Sequence, residues 1–326
     1  MVSVVVCTYN RSLELEKTLA SLRALSVAPE LSWELVVVDN RSTDNTAEVL
    51  KRFTATSRVS VRYVFEPEQG LSFARNTGIR TARGELLVFT DDDVVVHEHW
   101  LTGLLRIFAQ FDCIGVAGRV VPIWRQPQPE WLGLEDQQAV VHFEYGEDPR
   151  TLDLRSPVGA NMAFRRAAFE KYGLFRVDLG KTKNGFSGLE DAEFGSRLLK
   201  AGEKIVYAPQ AIIYHPVEPA RVRKNYILRW AYSEGRHQIR SRLWPQHAAR
   251  YFGIPRYLFG SLLRNSFLWA VTRNKKRRFQ HGLQVCQALG SIREAWRLED
   301  RPLMCDIPSL ESGSTSLRSQ RAVSPG

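Results

Sequence analysis

The sequence is poor in cysteine. Its four cysteines (Cys7, Cys113, Cys286 and Cys305) stand far apart in 326 residues, with no CxxC pair. That spacing excludes a disulfide-stapled scaffold and a zinc ribbon, and it fits a reducing compartment. No apolar run reaches the ~18 residues of a membrane-spanning helix. The apolar start, Val2 to Cys7, has no basic leader and is too short for a signal peptide. It reads as a buried first strand, and the chain as a cytoplasmic one. No internal repeat and no recognised nucleic-acid module is present, so nucleic acid is not an expected partner.

Acidic residues are scarce in one region only. The net charge is +10, yet residues 221–300 alone hold 17 Lys and Arg against 4 Asp and Glu. The first 220 residues are mildly acidic. An acidic body followed by a basic segment points to an anionic surface as the partner of the second part. Three regions are expected: a catalytic body over 1–220, a basic amphipathic helical extension over 221–304, and a disordered, serine-rich tail over 305–326.

Strand and helix signals alternate through the body. Val2–Cys7, Glu34–Val38, Val59–Phe65 and Leu86–Phe89 read as strands. Leu13–Leu25, a stretch from Thr43 through Phe53, and Leu71–Thr81 read as the helices between them. That order implies an α/β fold with a mainly parallel sheet covered by helices. Further on, Glu98–Phe111 and Leu189–Ala201 are expected helices. Ile114–Val121, Val158–Phe164, Lys204–Tyr207 and Ala211–Tyr214 are expected strands. Residues 122–157, rich in proline and aromatics, suggest a long irregular insertion.

The fourth strand runs into Asp91-Asp92-Asp93. Ligands of open α/β sheets bind at the carboxyl ends of strands. Three clustered carboxylates repel unless a cation sits among them, and oxygen ligands suit Mg²⁺ or Mn²⁺. A solvated acidic turn is the plainer reading. The first strand ends at Thr8-Tyr9-Asn10-Arg11 and the second at Asp39-Asn40. Parallel neighbours end on the same edge, so these groups should converge with the aspartates. Asp39 can accept hydrogen bonds from a base or ribose, and Tyr9 can stack on a base; an Asx-turn at Asp39 is the alternative.

These stretches resemble the inverting family-2 glycosyltransferases of the GT-A fold, which use nucleotide-diphospho-sugars. The match runs through Val4–Arg11, Leu35–Asp44, Gly70–Gly78, Gly84–Asp93 and Gly188–Asp191, in the family's order. The resemblance implies a Rossmann-like nucleotide-binding half and a divalent metal, Mn or Mg. It implies that Thr8, Tyr9, Asn10 and Asp39 hold the base, with Arg75 and Asn76 near ribose or phosphate. Asp91 and Asp93 are the aspartates of its DxD motif, and the choice between Asp92 and Asp93 as metal contact stays open. His215 would reach the metal or diphosphate, and Asn161, within Gly159–Met162, would line the donor-sugar pocket. Asp191 would be the base that takes the acceptor proton, with Glu190 beside it; a favourable acid placement in a first helical turn is the alternative for both. UDP is the default nucleotide, with dTDP and GDP open, and the acceptor is a sugar or a lipid-linked sugar.

Asn225–Trp230 stands where processive synthases carry Gln-x-x-Arg-Trp, but Tyr226 replaces the Gln. Single-sugar transfer is therefore expected. A nucleotidyltransferase would also place carboxylates at strand ends, but its glycine- and lysine-rich loop is missing after the first strand. A non-catalytic binder of anionic surfaces would explain only the basic segment. Within that segment, Tyr251–Arg278 suits an interfacial helix on an anionic membrane surface, making the enzyme peripheral on the cytoplasmic face. A helix packed on the body with a solvated charged face is the alternative.

Overall fold

The structure is a computed structural model, and it describes residues 1–132, 141–153, 157–181, 188–241 and 249–299. Strands β1 (Val2–Thr8), β2 (Trp33–Asp39), β3 (Ser60–Phe65) and β4 (Leu86–Asp91) are joined by helices α1 (Ser12–Arg23), α2 (Thr46–Thr56) and α3 (Leu71–Thr81). β1 and β2 are nearly unbroken runs of valine and leucine because both of their faces are covered. All four strands are parallel, in the order β3-β2-β1-β4.

The sheet then turns mixed. β5 (Val95–Val96), β6 (Gly115–Trp124), β7 (Arg150–Thr151), β8 (Asn161–Arg165) and β9 (Ile205–Val217) complete it, with α4 (Trp100–Gln110), α5 (Arg166–Tyr172) and α6 (Glu190–Lys200) packed around. β8 lies antiparallel between β4 and β6, and β6 runs parallel to β9. Among the described residues the order is β3-β2-β1-β4-β8-β6-β9-β5, with β7 also on β9. The expected α/β architecture of GT-A type is present. One expectation is corrected: Lys204–Tyr207 and Ala211–Tyr214 are not separate strands. β9 runs through Pro209 because a register shift opposite Gly118 and Arg119 absorbs the extra residues as a bulge. The short helix α5 carried no cap or period strong enough to be read.

After β9 a 3₁₀ turn at Pro219–Val222 leads into α7 (Lys224–Arg240). A small hairpin, β10 (Arg250–Tyr251) with β11 (Ile254–Pro255), precedes α8 (Arg256–Val271) and α9 (Lys275–Glu299). Val217, Val222, Ile227, Ala231 and Leu283 form an apolar cluster of their own with Leu132. The half-buried Trp230 packs on that cluster, so it does not face outward. α7 and α9 cross closely at two glycines. A methyl group on Gly235 would strike the Gln287 carbonyl, and one on Gly290 would strike the Tyr232 carbonyl. The reading of Tyr251–Arg278 as one interfacial helix is therefore corrected: a hairpin, one helix and the start of another share it. The tail from 305 lies outside the described residues.

A buried charge locks this helix pair. Glu294 on α9, with a fully buried side chain, accepts hydrogen bonds from Arg240 at 2.6 Å, Arg236 at 2.8 Å and Arg297 at 2.8 Å. Burial pushes its carboxyl up, but the arginines more than offset this and bring it down to about 2. Its folded value lies below its unfolded one, so its contribution is complete above about pH 4.5 and fades as pH falls toward 2. Allowing for the partial exposure of the arginines, it is worth roughly 2 kcal/mol. Glu294→Gln should lower stability by about that amount at pH 7. Urea unfolding of both proteins should show the gap narrowing between pH 5 and pH 3, as the native carboxylate loses its advantage.

Candidate active site

Strand register assembles the site. In the parallel ladder Thr8 stands opposite Asp39, and Cys7 opposite Asp91. The ends of β2, β1 and β4 thus present Asp39, Thr8 and Asp91 along one edge. β5 pairs antiparallel with β9, Val95 opposite Tyr214, which sets His215 beside the aspartates. Single ligand atoms of Asp91, Asp93 and His215 lie within 4.8 Å of one another. His215 Nδ1 bonds the Pro216 carbonyl at 3.0 Å, leaving Nε2 to face Asp93 Oδ1 at 3.5 Å. Asp93 Oδ1 is buried and makes no hydrogen bond. Two carboxylates and an imidazole converging on an unsatisfied oxygen are a donor set that fits a divalent ion such as Mn²⁺.

Asp92 takes a different position. It is 5 % exposed and accepts from Arg11 at 3.1 Å. Burial and the neighbouring Asp93 push its carboxyl up, against the pull of Arg11. Asp93 accepts from the same guanidinium at 2.6 Å. Burial acts to raise Asp93 too, yet His215, Arg11, Arg221 and Lys181 together hold it below the usual carboxylate range. The geometry thus favours Asp93 over Asp92 as the partner of Asp91. Cys7 adds no anion here, since burial pushes its thiol up to about 12.

The second acidic pair sits one guanidinium away. Arg75, 3 % exposed on α3, donates to Glu190 at 2.5 Å and to Asp91 at 3.4 Å. Glu190 is buried, and burial together with Asp191 pushes its carboxyl up despite Arg75. Asp191 is only half-buried. It accepts backbone N–H bonds from Gly159 at 2.6 Å and Ala192 at 2.7 Å. Burial raises its carboxyl as well. One carboxylate of the pair is thus spent on Arg75, and the other is aimed by two N–H groups and open to solvent. The stretch 184–187 before this pair lies outside the described residues.

At the far side, Asp39 accepts from the Ser42 N–H at 2.8 Å and from the Tyr63 hydroxyl at 2.9 Å. Asp39 thus holds its own following loop, through an N–H three residues on rather than the two of an Asx-turn, and its other oxygen faces the half-exposed Tyr63. Asn10 adopts a left-handed backbone (φ 51°), and its side chain accepts from the Thr43 N–H at 2.7 Å. That bond ties the β1 and β2 end loops together and leaves the half-buried Tyr9 on the same edge.

Two expected ligands are placed elsewhere. Asn161 is fully buried; it accepts from Trp100 Nε1 at 2.8 Å and donates to the carbonyls of Arg119 at 2.9 Å and Ala211 at 2.8 Å. It braces the sheet, and the stretch reaches the site through the Gly159 N–H instead. Asn76 is also buried and clamps the backbone of Phe175 at both ends of its amide. Sequence reading also left out Arg11, Lys181, Arg221 and Tyr63. Of these only Arg11 lay inside a quoted motif; the others are single residues with no spacing signal. A cavity of about 400 Å³ opens at the start of α7, lined by Arg223, Lys224, Asn225, Tyr226 and Arg229. None of the site carboxylates lines it.

The model of the glycosyl transferase family 2 matches residues 3–173, just over half of the chain. The chain belongs to that family. Over 236 residues it is 28 % identical to the succinoglycan biosynthesis protein ExoM of Rhizobium meliloti, covering 72 % of each chain. It is 26 % identical to the glucosyl-dolichyl phosphate glucuronosyltransferase of Haloferax volcanii, covering 75 % of this chain and 79 % of the relative. The fold is shared with a mannosyltransferase from Pyrobaculum calidifontis solved with GDP-Man and Mn²⁺, at a TM-score of 0.62, 19 % identity, and coverage of 91 % and 87 %. This family-2 protein is a glycosyltransferase, which sets aside the nucleotidyltransferase and the purely binding protein.

The brace role of Asn161 is testable. Asn161→Ala would leave the Trp100 indole N–H and two buried carbonyls without partners, each costing about 1–3 kcal/mol. A clear drop in melting temperature is expected, with the KM for donor unchanged in the folded fraction. An unchanged melting temperature with a raised KM would return Asn161 to the sugar pocket.

Proposed function

We propose that this glycosyltransferase moves a single sugar, with inversion, from a nucleoside-diphospho-sugar to an acceptor hydroxyl, and that it needs a divalent cation. The observation that carries the reading is the spacing of its two acidic groups. Asp91 and Glu190 share the Arg75 guanidinium, so the Asp91–Asp93–His215 cluster and Asp191 lie on either side of one buried cation. A diphosphate at the first would present its anomeric carbon toward the second.

Asp91, Asp93 and His215 would hold the metal. Bound there, Mn²⁺ or Mg²⁺ would offset the charge that grows on the departing diphosphate. The rest is done by this chain's own residues. Arg11, Lys181 and Arg221 surround the same point and add positive charge where the leaving group forms. Asp39, Tyr63, Tyr9, Asn10 and Thr8 sit where a nucleoside would lie. The half-exposed Asp191 takes the proton of the acceptor hydroxyl as it attacks. Its raised pKa brings it nearer neutral pH, where a general base is most effective. Glu190 holds Arg75 in place.

Several points support the finer assignment. UDP is the default donor nucleotide; the mannosyltransferase from Pyrobaculum calidifontis was solved with GDP-Man and Mn²⁺, and GDP and dTDP stay open. The relatives named for succinoglycan biosynthesis and for a dolichyl phosphate sugar favour a saccharide or lipid-linked acceptor in cell-surface polysaccharide or glycolipid synthesis. With such an acceptor the enzyme would work in the cytoplasm, peripheral on the membrane. The body is assigned to residues 1–220 and the basic extension to 221–304.

Two experiments test this reading. Asp93→Ala should abolish Mn²⁺-dependent transfer, whereas Asp92→Ala should keep most of it, because Asp92 lies outside the cluster of Asp91, Asp93 and His215. Full activity and unchanged Mn²⁺ dependence in Asp93→Ala would reject the metal assignment. Asp191→Asn should reduce turnover by about 10²–10⁴-fold with donor KM nearly unchanged. The wild-type rate should rise with pH through an apparent pKa above the ordinary ~3.9 of aspartate, and that limb should be lost in the variant. Normal turnover in Asp191→Asn would transfer the role to Glu190.

A further inference from the structure

The last third of the chain carries its apolar residues on two different sides. α7 turns its apolar residues inward, and α9 does so with Leu283, Ala288 and Ala295 while Leu289 and Trp296 stay exposed. α8 does the reverse along one stripe. Leu263, Phe267 and Val271 follow one another at i, i+4 and i+8, and they are 72 %, 66 % and 53 % exposed. α8 packs on α9 and β11 through its other side, where Leu258 is buried and Leu262 half-buried. Next to its start, the tip of the β10–β11 hairpin holds Phe252, 88 % exposed. Phe252 has a left-handed backbone (φ 50°), which a phenylalanine adopts only against a steric cost. The turn thus spends conformational energy to hold a bare aromatic ring at its tip.

Charge surrounds this stripe with one sign. No aspartate or glutamate occurs between Glu234 and Glu294. Arg256 and Arg264 lie on the exposed side of α8. Lys275, Lys276, Arg277 and Arg278, all exposed, follow directly at the start of α9. The Arg278 guanidinium lies over the half-exposed Trp269 ring, 5.0 Å from its centre.

We propose that α8 and the β10–β11 turn form a docking surface for an anionic lipid bilayer. Apolar side chains set among cations, in a stretch with no carboxylate from residue 235 to residue 293, match the acyl boundary and the phosphate headgroups of such a surface. A second copy of the chain could cover the apolar stripe, but it would bring the same cations face to face. A nucleic acid would meet the cations and leave Phe252, Leu263 and Phe267 in water. α8 has 16 residues, about 24 Å at 1.5 Å per residue, short of the ~30 Å hydrocarbon core. It therefore lies along the interface and does not cross it. This narrows the basic extension to one helix and one turn. It rests on the proposed function only for its purpose, which is to bring the site to a lipid-linked acceptor.

The full chain is tested by co-sedimentation with vesicles of phosphatidylcholine alone and of phosphatidylcholine with rising phosphatidylglycerol. Recovery in the pellet should rise with the anionic fraction and fall with added salt. The pair Leu263→Ser with Phe267→Ser, and separately Lys275→Glu, Lys276→Glu, Arg277→Glu and Arg278→Glu together, should each reduce vesicle affinity by roughly tenfold or more. All six side chains are exposed, so the melting temperature and transfer to a soluble acceptor should not change. Equal recovery with neutral and anionic vesicles would overturn the proposal. So would variants that pellet like the parent, or a concentration-dependent dimer that Leu263→Ser with Phe267→Ser dissolves. Because transfer to a soluble acceptor needs no vesicle, loss of docking and loss of the proposed reaction are read separately. Asp191→Asn should lose transfer and still pellet.

Discussion

A crowd of carboxylates at one sheet edge is the constraint on which the structure turns. Asp91, Asp92, Asp93, Glu190 and Asp191 approach each other in surroundings where water screens little, and buried like charges are costly unless a cation is built in. Arg75 supplies one such cation from below. An arginine cannot shed its proton when buried, as a lysine does, so its charge there is permanent. It joins α3 to β4 through Asp91 and to α6 through Glu190. The same bonds that hold three elements together also divide the labour of the acidic pair. Glu190 is committed to Arg75, and Asp191 is left to two backbone N–H groups. One guanidinium therefore serves both the packing of these elements and the proposed chemistry. Arg11 serves the upper aspartates in the same way, but its side chain is 38 % exposed and is freer to move when another cation arrives.

Much of this edge was legible in the chain because strand ends are legible. Parallel neighbours finish together, so Asp39, Thr8 and Asp91 had to converge once β1, β2 and β4 were read as neighbours. The glycosyltransferase motifs added Asp191 and His215, whose partners lie far away in sequence. The failures have a common cause. Asn161 and Asn76 sit in motif stretches, but sequence does not say which way a side chain points. One brace and one clamp were thus taken for ligands. Tyr63, Lys181 and Arg221 failed in the opposite sense. Lys181 and Arg221 come from segments with no pattern of their own, and Tyr63 from a strand whose pattern says nothing of the contact its hydroxyl makes; only tertiary packing brings them there. Pro209 misled for a different reason: it normally ends a strand, and the bulge that lets β9 continue is a property of its pairing with β6.

The basic extension shows the same limit on a larger scale. Apolar residues at helical spacing mark a face, and composition alone does not say whether protein or solvent lies against it. The glycines at 235 and 290 let α7 and α9 close on each other, which buries their apolar sides. α8 packs on α9 and β11 through one side, and among the described residues its second apolar side stays outside. Charge asymmetry was visible in the sequence, but its assignment to α8 and the start of α9 needed the fold.

Geometry connects this extension back to the chemistry. The 3₁₀ turn that carries Arg221 toward Asp93 leads directly into α7. The C-terminal end of α7 is in turn tied to the segment before α6, where Arg176 donates to the Arg240 carbonyl at 3.1 Å. α9 is locked to α7 through Glu294, and α8 rests on α9. Whatever holds α8 is thus linked through rigid helices to both ends of the acidic cluster. A surface engaged at α8 would fix the direction in which Asp191 faces, and not merely raise the local concentration of enzyme. On that geometry the proposed docking would act by orientation, which fits an acceptor anchored in a plane better than one free in solution.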